Sequence, residues 1–280
     1  MHAFQDILYH KENRIATLTL NRPDNFNAFS EDMLKGWAHY LAEGQNDPEV
    51  RVIVVTGAGK AFCAGGDVKS MAKGQGFIHQ DNEQAGNKEI DEQTPLETKN
   101  SLWKLVHRVP LTLEDVEKPV IASINGAAMG AGLDMALWCD LRLAAEDAPM
   151  GETYINLGLV PGDGGAFLLP RLVGLSRALE LLLTGKRFTG REAEVMGLVN
   201  RAVPGEELER ATYELAGQLA AQPPFALQAI KRAVYQGLKS SARDHLDYIS
   251  SQMALAAGTE DHAEGLNAML EKKTPSYKGR

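Results

Sequence analysis

Two glycine-rich loops contain the residue types needed to stabilise a negatively charged oxygen with main-chain amides. Residues 59–68 read GKAFCAGGDV, and residues 125–134 read NGAAMGAGLD. Each loop follows a short apolar run and leads into an apparent helix, whose first amides have no partner within the helix. Small residues such as Ala64, Gly65 and Ala131 let a ligand approach the main chain. We predict that the amides of Ala64 and Ala131 donate to one oxygen, as in an oxyanion hole.

Glycines that follow a strand are also common in tight turns, so the spacing alone does not identify a ligand. The segment from Gly57 to Lys60 lacks the Ser/Thr and the spacing of a P-loop. Neither loop contains the G-x-G-x-x-G pattern of a dinucleotide site. The two loops therefore leave a catalytic and a structural interpretation open.

Apolar runs predict the elements that hold these loops. Alternation over the first 20 residues predicts a β-hairpin, and Ser30 predicts the N-cap of a helix that ends at Gly44. Residues 52–56, Val120–Ile124 and Leu141–Ala145 are typical of strands buried on both faces. Strands that alternate with helices predict an α/β fold with parallel strands.

Two stretches differ from this pattern. Residues 73–100 are polar and aperiodic, which predicts a partly helical insertion near the site. From about residue 206 the chain has helical periodicity throughout, just after a capping-box pair at Thr189 and Glu192. We predict a core over residues 1–205 and a helical region over residues 206–280.

The composition disfavours several classes of protein. The formal net charge is −8 and no dense Lys/Arg run is present, so nucleic-acid binding is disfavoured. No apolar stretch approaches the ~20 residues that span a bilayer, and the first residues do not resemble a signal peptide. Cys63 and Cys139 form neither a disulfide framework nor a metal-binding spacing. We expect a cytoplasmic protein that binds neither membranes nor metal ions.

The two loops resemble those of the crotonase superfamily, the enoyl-CoA hydratase/isomerase family. Further motifs occur in that family's order along the chain. They are NRP and NAF within residues 21–29, EKPVIASING at 117–126, GLVPGDGG at 158–165, TGK at 184–186, and EDH with EKKTP between 260 and 275.

The resemblance implies a spiral of ββα units with an α-helical C-terminal trimerisation region, assembled as a homotrimer or a dimer of trimers. It implies a coenzyme A thioester as substrate, with no metal or redox cofactor. Contacts to coenzyme A are implied around Ala28, Ala64, Gly65, Asp67 and Val68. Lys272 is implied either as a contact to the coenzyme A phosphates, on the same or a neighbouring subunit, or as part of a solvated helix end.

Hydratases of the family use two glutamates around a water molecule. Matching this chain to their motifs places Asp134 at the first position and Tyr154 at the second. A different register would offer Glu152, but it breaks the match through Gly158. We predict that Asp134 acts as acid and base, and that Tyr154 positions water or donates a hydrogen bond, since its reference pKa near ~10 makes it a poor substitute for a carboxylate.

Asp163 is a further carboxylate candidate, in a turn that the family places below the acyl pocket. Family members that cleave diketones have His and Asp at the positions of Tyr154 and Asp163, so this chain keeps only the aspartate. Turn formation explains Asp163 equally well. His107 is predicted to be structural, and Glu114 to lie either at the pocket entrance or on the surface.

The resemblance favours an enzyme that adds water to, or shifts, a C=C bond through a thioester enolate. Two alternatives stay open. One is a C–C bond hydrolase of a dicarbonyl substrate, and the other is a non-catalytic relative that binds coenzyme A or RNA.

Overall fold

A computed structural model describes residues 4–74, 76–78 and 94–280 of the chain. Its strands are β1 (Ile7–Glu12), β2 (Ile15–Leu20), β3 (Val52–Gly57), β4 (Ala61–Cys63), β5 (Val120–Ile124), β6 (Ala127–Met129), β7 (Leu141–Ala145), β8 (Met150–Gly151) and β9 (Arg201–Val203). Its helices are α1 (Glu31–Asn46), α2 (Val68–Ala72), α3 (Pro95–Ser101), α4 (Arg108–Asp115), α5 (Ala131–Leu137), α6 (Gly165–Val173), α7 (Leu175–Thr184), α8 (Gly190–Met196), α9 (Leu208–Ala220), α10 (Pro224–Gly237), α11 (Ala242–Ala257) and α12 (Glu260–Glu271).

Six strands form the larger sheet in the order β1-β2-β3-β5-β7-β9. The predicted hairpin is confirmed, because β1 and β2 form an antiparallel pair. The turn between them contains Asn13 and Arg14, which have φ values of 51° and 67°. All later pairs in this sheet are parallel, as predicted. The strands β3 and β5 are buried along most or all of their length, which explains their continuous apolar sequences.

A second, three-stranded parallel sheet has the order β4-β6-β8. Each of its strands follows a strand of the larger sheet after a short turn, so β3 leads to β4, β5 to β6 and β7 to β8. The first two pairs lead into α2 and α5 respectively. This repetition of two strands and a helix is the spiral of ββα units that the resemblance implied, and it brings the two glycine loops side by side.

The first helix begins as predicted but ends later. The Ser30 hydroxyl accepts a hydrogen bond from the amide of Met33 at 3.1 Å. Gly44, predicted as the end, lies inside the helix, which continues to Asn46. A Cβ at Gly44 would lie 3.1 Å from the Ile53 side chain, so the glycine serves close packing against β3 and not helix termination.

The predicted insertion at residues 73–100 lies largely outside the described residues, since 75 and 79–93 belong to none of the described ranges. Its described C-terminal part is the helix α3, which Thr94 and Glu97 cap reciprocally. That part agrees with a partly helical segment.

The chain after residue 206 is helical, as predicted, and the capping box of Thr189 and Glu192 is present before it. Helix α9 packs on the larger sheet, where Thr212 bonds Ser123 at 2.9 Å and Tyr213 bonds Thr17 at 2.8 Å. Helices α10 to α12 keep large exposed apolar side chains. The division at residue 206 remains a prediction. No helix in the described ranges is long and apolar enough to cross a membrane.

Candidate active site

The first glycine loop directs a different amide into the site from the one predicted. The amide of Ala64 donates to the carbonyl of Phe26 at 2.9 Å, so this N–H is already engaged within the protein. The amide of Gly66 has no acceptor among the described residues, and Gly66 lines the cavity between the loops. The prediction for Ala64 is therefore corrected: its main chain lines the cavity, but the unengaged donor two residues later is Gly66.

The second loop presents Ala131 at the start of α5. Gly130 precedes it with φ 49° and ψ −123°, a conformation that glycine adopts without steric cost. The amide of Ala131 has no acceptor in the described part of the chain, and Ala131 lines the same cavity. A Cβ at Gly65 would lie 2.8 Å from the Met129 carbonyl and 3.0 Å from the Ala131 nitrogen. The two loops thus touch main chain to main chain, which places both amides on one small region of the cavity wall.

The cavity has a volume of about 290 Å³ and a predominantly apolar wall. Side chains from α2, from the π-helical turn before α4 and from the loop before α6 form this wall. They include Val68, Met71, Leu102, Val106, Leu157 and Val160. In the described part of the chain, the ionisable side chains that line it are those of Tyr154 and Asp163. A largely apolar cavity with a few polar groups at one end is suited to a chain-like organic ligand with a reactive head.

Three of the predicted catalytic side chains form one hydrogen-bonded unit. The Tyr154 hydroxyl lies 2.6 Å from Asp134 Oδ2 and 3.0 Å from Asp163 Oδ2. Asp134 is fully buried and does not line the cavity, so it lies behind Tyr154. A phenol has only one proton to donate. The phenol can therefore form hydrogen bonds with both carboxyl groups only when one of them carries a proton and donates it to the phenol oxygen.

The electrostatics of this unit favour a proton on Asp134. Burial raises the pKa of Asp134 to about 7, and the nearby charge of Asp163 adds to the rise, while the bond from Tyr154 opposes it. Burial and the two aspartates also raise the pKa of Tyr154 well above its ordinary value, which keeps the phenol protonated. The unit can thus hold a neutral acid, a neutral phenol and a carboxylate in contact.

Asp163 is held by a main-chain contact and faces the imidazole of His107. Its carbonyl accepts a hydrogen bond from Trp138 Nε1 at 2.8 Å, just before α6 begins. Its Oδ1 lies 3.5 Å from His107 Nε2, and the same nitrogen lies 2.9 Å from the Gly162 carbonyl. The contact with Asp163 raises the pKa of His107, while partial burial opposes the rise.

His107 was predicted to be structural, and the structure places its ring against the carboxylate of Asp163. The two residues are 56 positions apart and no sequence period connects them, so only the fold brings them together. The described contacts of the Asp163 carboxylate are with Tyr154 and His107, and none of them is with a main-chain amide of its own turn.

Glu152 is a site residue that the sequence reasoning set aside. Tyr154, which the motifs matched to the second glutamate position, lines the cavity. Glu152 nevertheless lies beside Asp134, with 1% of its surface exposed. A Cβ at Gly165 would lie 2.4 Å from Asp134 Oδ1 and 3.0 Å from Glu152 Oε2, which shows that both carboxyl groups crowd the start of α6. Burial, followed by the charge of Asp134, raises the pKa of Glu152 well above its ordinary value.

The residues implied in coenzyme A binding differ in exposure and in their distance from the cavity. Val68 is 56% exposed at the cavity mouth. Asp67 is buried, and its carboxylate caps α2 by accepting the amides of Lys69 and Ser70, so it shapes the loop from within. Ala28 is buried and its carbonyl accepts from Arg22. Lys272 ends α12 and does not line the cavity within one chain.

The chain is similar to known proteins along nearly its whole length. The sequence profile of the family described as enoyl-CoA hydratase/isomerase matches residues 10–280. The putative enoyl-CoA hydratase/isomerase YngF of Bacillus subtilis is 36% identical over 96% of both chains. The 1,2-epoxyphenylacetyl-CoA isomerase of Escherichia coli is 33% identical over 98% of both chains. A crystal structure of an enoyl-CoA hydratase from Bacillus anthracis has a TM-score of 0.88 at 33% identity and covers 99% of this chain and 100% of that chain.

A profile match over nearly the whole chain, relatives of similar length and a shared fold lead to one conclusion. This chain is a member of the enoyl-CoA hydratase/isomerase family of acyl-CoA enzymes.

Proposed function

We propose that this enzyme shifts a C=C bond along the acyl chain of a coenzyme A thioester. The observation that carries the proposal is the Asp134–Tyr154–Asp163 unit, which presents one carboxylate and one hydroxyl to the cavity. Relatives have been named both hydratases and isomerases, so their names do not choose between the two reactions.

The amides of Gly66 and Ala131 polarise the thioester carbonyl. Both belong to loops that lead into helices, and both are without a protein acceptor in the described ranges. As the α-carbon loses a proton, negative charge develops on the thioester oxygen, and two preorganised donors stabilise it. Loss of one such donor costs about 3 kcal/mol of transition-state stabilisation.

The hydrogen-bonded unit moves the proton. The Asp163 carboxylate removes a proton from the α-carbon, and the electron pair of that C–H bond forms the enolate. The electron pair of the enolate then forms the new C=C bond between the α- and β-carbons, and the pair of the old C=C bond takes the proton of the Tyr154 hydroxyl at the γ-carbon. Asp134 replaces that proton on Tyr154 from its own carboxyl group. Asp163 now carries the extra proton and returns it through Tyr154 to Asp134, so the cycle balances without an oxidant or a metal ion.

Hydration is less well supported by this geometry. A hydratase needs two groups that hold one water molecule between them, but Tyr154 and Asp163 are bonded directly at 3.0 Å. Asp134 lies behind the tyrosine and does not face the cavity.

A second candidate function is hydrolysis of a C–C bond in a dicarbonyl compound. The observation that favours it is the contact of His107 with Asp163, which supplies a histidine–aspartate pair from a part of the chain where none was expected. His107 does not line the cavity, so it serves the carboxylate and does not reach a ligand there. For this reason the isomerase remains the preferred function.

The assembly and location are part of the same proposal. The exposed apolar side chains of α10 to α12 support self-association, as a homotrimer or a dimer of trimers. The buried free thiols of Cys63 and Cys139 are compatible with the reducing cytoplasm, and the chemistry with a role in fatty acid metabolism.

The test compares three substrate classes with purified protein. We expect 3-enoyl-CoA thioesters to be converted to their conjugated isomers faster than 2-enoyl-CoA thioesters are hydrated, with no turnover of a free diketone. Faster hydration would overturn the isomerase assignment, and turnover of the diketone without coenzyme A would establish the hydrolase. Thioester binding with no turnover of any class would favour a non-catalytic relative.

A further inference from the structure

Glu152 lies in the interior behind the site, and the proposed reaction does not use it. Neither of its carboxyl oxygens has a hydrogen-bond donor among the described residues, and Asp134 Oδ1 also lacks one. Glu152 is 1% exposed and Asp134 is 0% exposed, so neither carboxyl group contacts bulk solvent directly. An ionised carboxylate in such a place would have to be compensated, and no basic side chain from the described elements contacts Glu152.

Among the described residues, the charged and titratable groups that face Glu152 are acidic or phenolic. Asp134 faces it from α5, Asp163 from the turn before α6, and Tyr154 from its own segment. Two acceptor-only groups cannot stabilise each other, whereas an acid and a carboxylate or carbonyl oxygen can, because the acid donates its proton. Gly165 leaves the space in which Asp134 Oδ1 and Glu152 Oε2 both fit.

We propose that Glu152 is a permanently neutral carboxylic acid that donates a hydrogen bond to Asp134 Oδ1 and so sets the proton affinity of Asp134. Glu152 is then a positioning residue, since it acts on the substrate only through Asp134 and Tyr154. It does not transfer its own proton during the cycle. Its bond stabilises Asp134 when that residue has delivered a proton to Tyr154 and is briefly ionised.

This role rests on the proposed function in one respect, because it assigns Asp134 as the group that supplies Tyr154. Loss of the proton from Asp134 should end activity as the pH rises, and the raised pKa of about 7 places that loss near neutrality. The pH at which kcat falls on the alkaline side therefore reports the proton affinity of Asp134.

Two variants separate a neutral from an ionised Glu152. In Glu152→Gln the side-chain amide has nearly the same shape and still donates to Asp134. We therefore expect kcat within about twofold of wild type, and no change in the alkaline limb of the pH profile, the range in which kcat falls as the pH rises. In Glu152→Leu the donor is lost while the site stays dry. We expect its alkaline limb to move up by about one to two pH units, the effect of removing one hydrogen bond to a charged group.

Two outcomes of the kinetic test would overturn the proposal. A downward shift of the alkaline limb in Glu152→Gln would mean that wild-type Glu152 is ionised and that its charge was raising the proton affinity of Asp134. An unchanged limb in Glu152→Leu would mean that Glu152 only fills space.

A second measurement does not depend on the reaction. Because the pKa of Glu152 in the folded protein lies above that in the unfolded chain, its neutral form stabilises the fold fully at low pH, and this stabilisation is lost as the pH rises above the unfolded value of about 4.3. Glutamine has no such dependence. The Tm of Glu152→Gln relative to wild type should therefore rise by roughly 2–4 °C per pH unit between pH 5 and pH 8. A constant difference would contradict a neutral Glu152 even if the substrate class proved different.

Discussion

The hydroxyl of Tyr154 bonds both aspartates of the site, so its removal should separate their functions. Replacement of Tyr154 by Phe keeps the ring in the cavity wall and deletes the oxygen that lies 2.6 Å from Asp134 and 3.0 Å from Asp163. Asp134 is then cut off from the cavity, because it does not line it.

The expected size of the effect follows from these two contacts. A hydrogen bond to a charged group contributes about 1.5–3 kcal/mol, and the proton donor for the γ-carbon is lost as well. A total of about 3–4 kcal/mol corresponds to a loss of roughly 10²–10³-fold in kcat. KM should change little, because the apolar wall and the amides of Gly66 and Ala131 remain.

The assay is steady-state isomerisation of a 3-enoyl-CoA thioester by wild type and Tyr154→Phe. Tyr9→Phe is a matched control, since the hydroxyl of Tyr9 has no hydrogen-bond partner in the described ranges and lies outside the cavity. A Tyr154→Phe enzyme with a kcat within a few-fold of wild type would refute the role of the hydrogen-bonded unit.

Three further substitutions test other parts of the site. In Asp134→Asn the proton supply to the phenol is lost, so kcat should fall by about 10²-fold or more while KM is nearly unchanged, and equal changes in both would count against the assignment. In Gly65→Ala a Cβ would meet main-chain atoms of the second loop at 2.8–3.0 Å, so kcat should fall by about 10²-fold. The control is Gly197→Ala, at a similar φ of 77° and with nothing within 4 Å of the added Cβ, which should lose stability but keep its kcat. In His107→Gln the donor to the Gly162 carbonyl is kept and the imidazole beside Asp163 is removed. A partly exposed contact of this kind contributes about 1 kcal/mol, so kcat near pH 7 should fall by about fivefold, whereas the exposed control His39→Gln should show no change.

Much of the fold follows from local sequence patterns. The strands β3, β5 and β7 were predicted from continuous apolar runs, and the caps at Ser30 and Thr189 from side chains that bond nearby amides. These features depend on residues a few positions apart. Gly44 shows the limit of such reasoning, because its role depends on the approach of Ile53 from another element.

The site was predictable only in part, for the same reason. The glycine loops and Tyr154 were recognised from motifs, and the structure brings them to one cavity. Sequence could not show that the Ala64 amide is engaged by Phe26 or that Gly66 is the unengaged donor, since that depends on the path of a separate loop.

The two remaining partners of the site were missed or set aside for a related reason. His107 lies just before α4 and meets Asp163 only in the folded chain. Glu152 was offered by a different register and set aside, and it comes to lie beside Asp134 because β8, which it follows, pairs with β6, the strand before α5.

The central claim, that the Asp134–Tyr154–Asp163 unit carries a proton between two carbons of an acyl-CoA chain, is tested most directly by the mass and label position of the product formed in heavy water. The unit exchanges its protons with solvent before substrate binds, so a 3-enoyl-CoA thioester should give its conjugated isomer with one deuterium at the γ-carbon and no added water. A product heavier by one molecule of water, or an isomer labelled only at the α-carbon, would contradict the account.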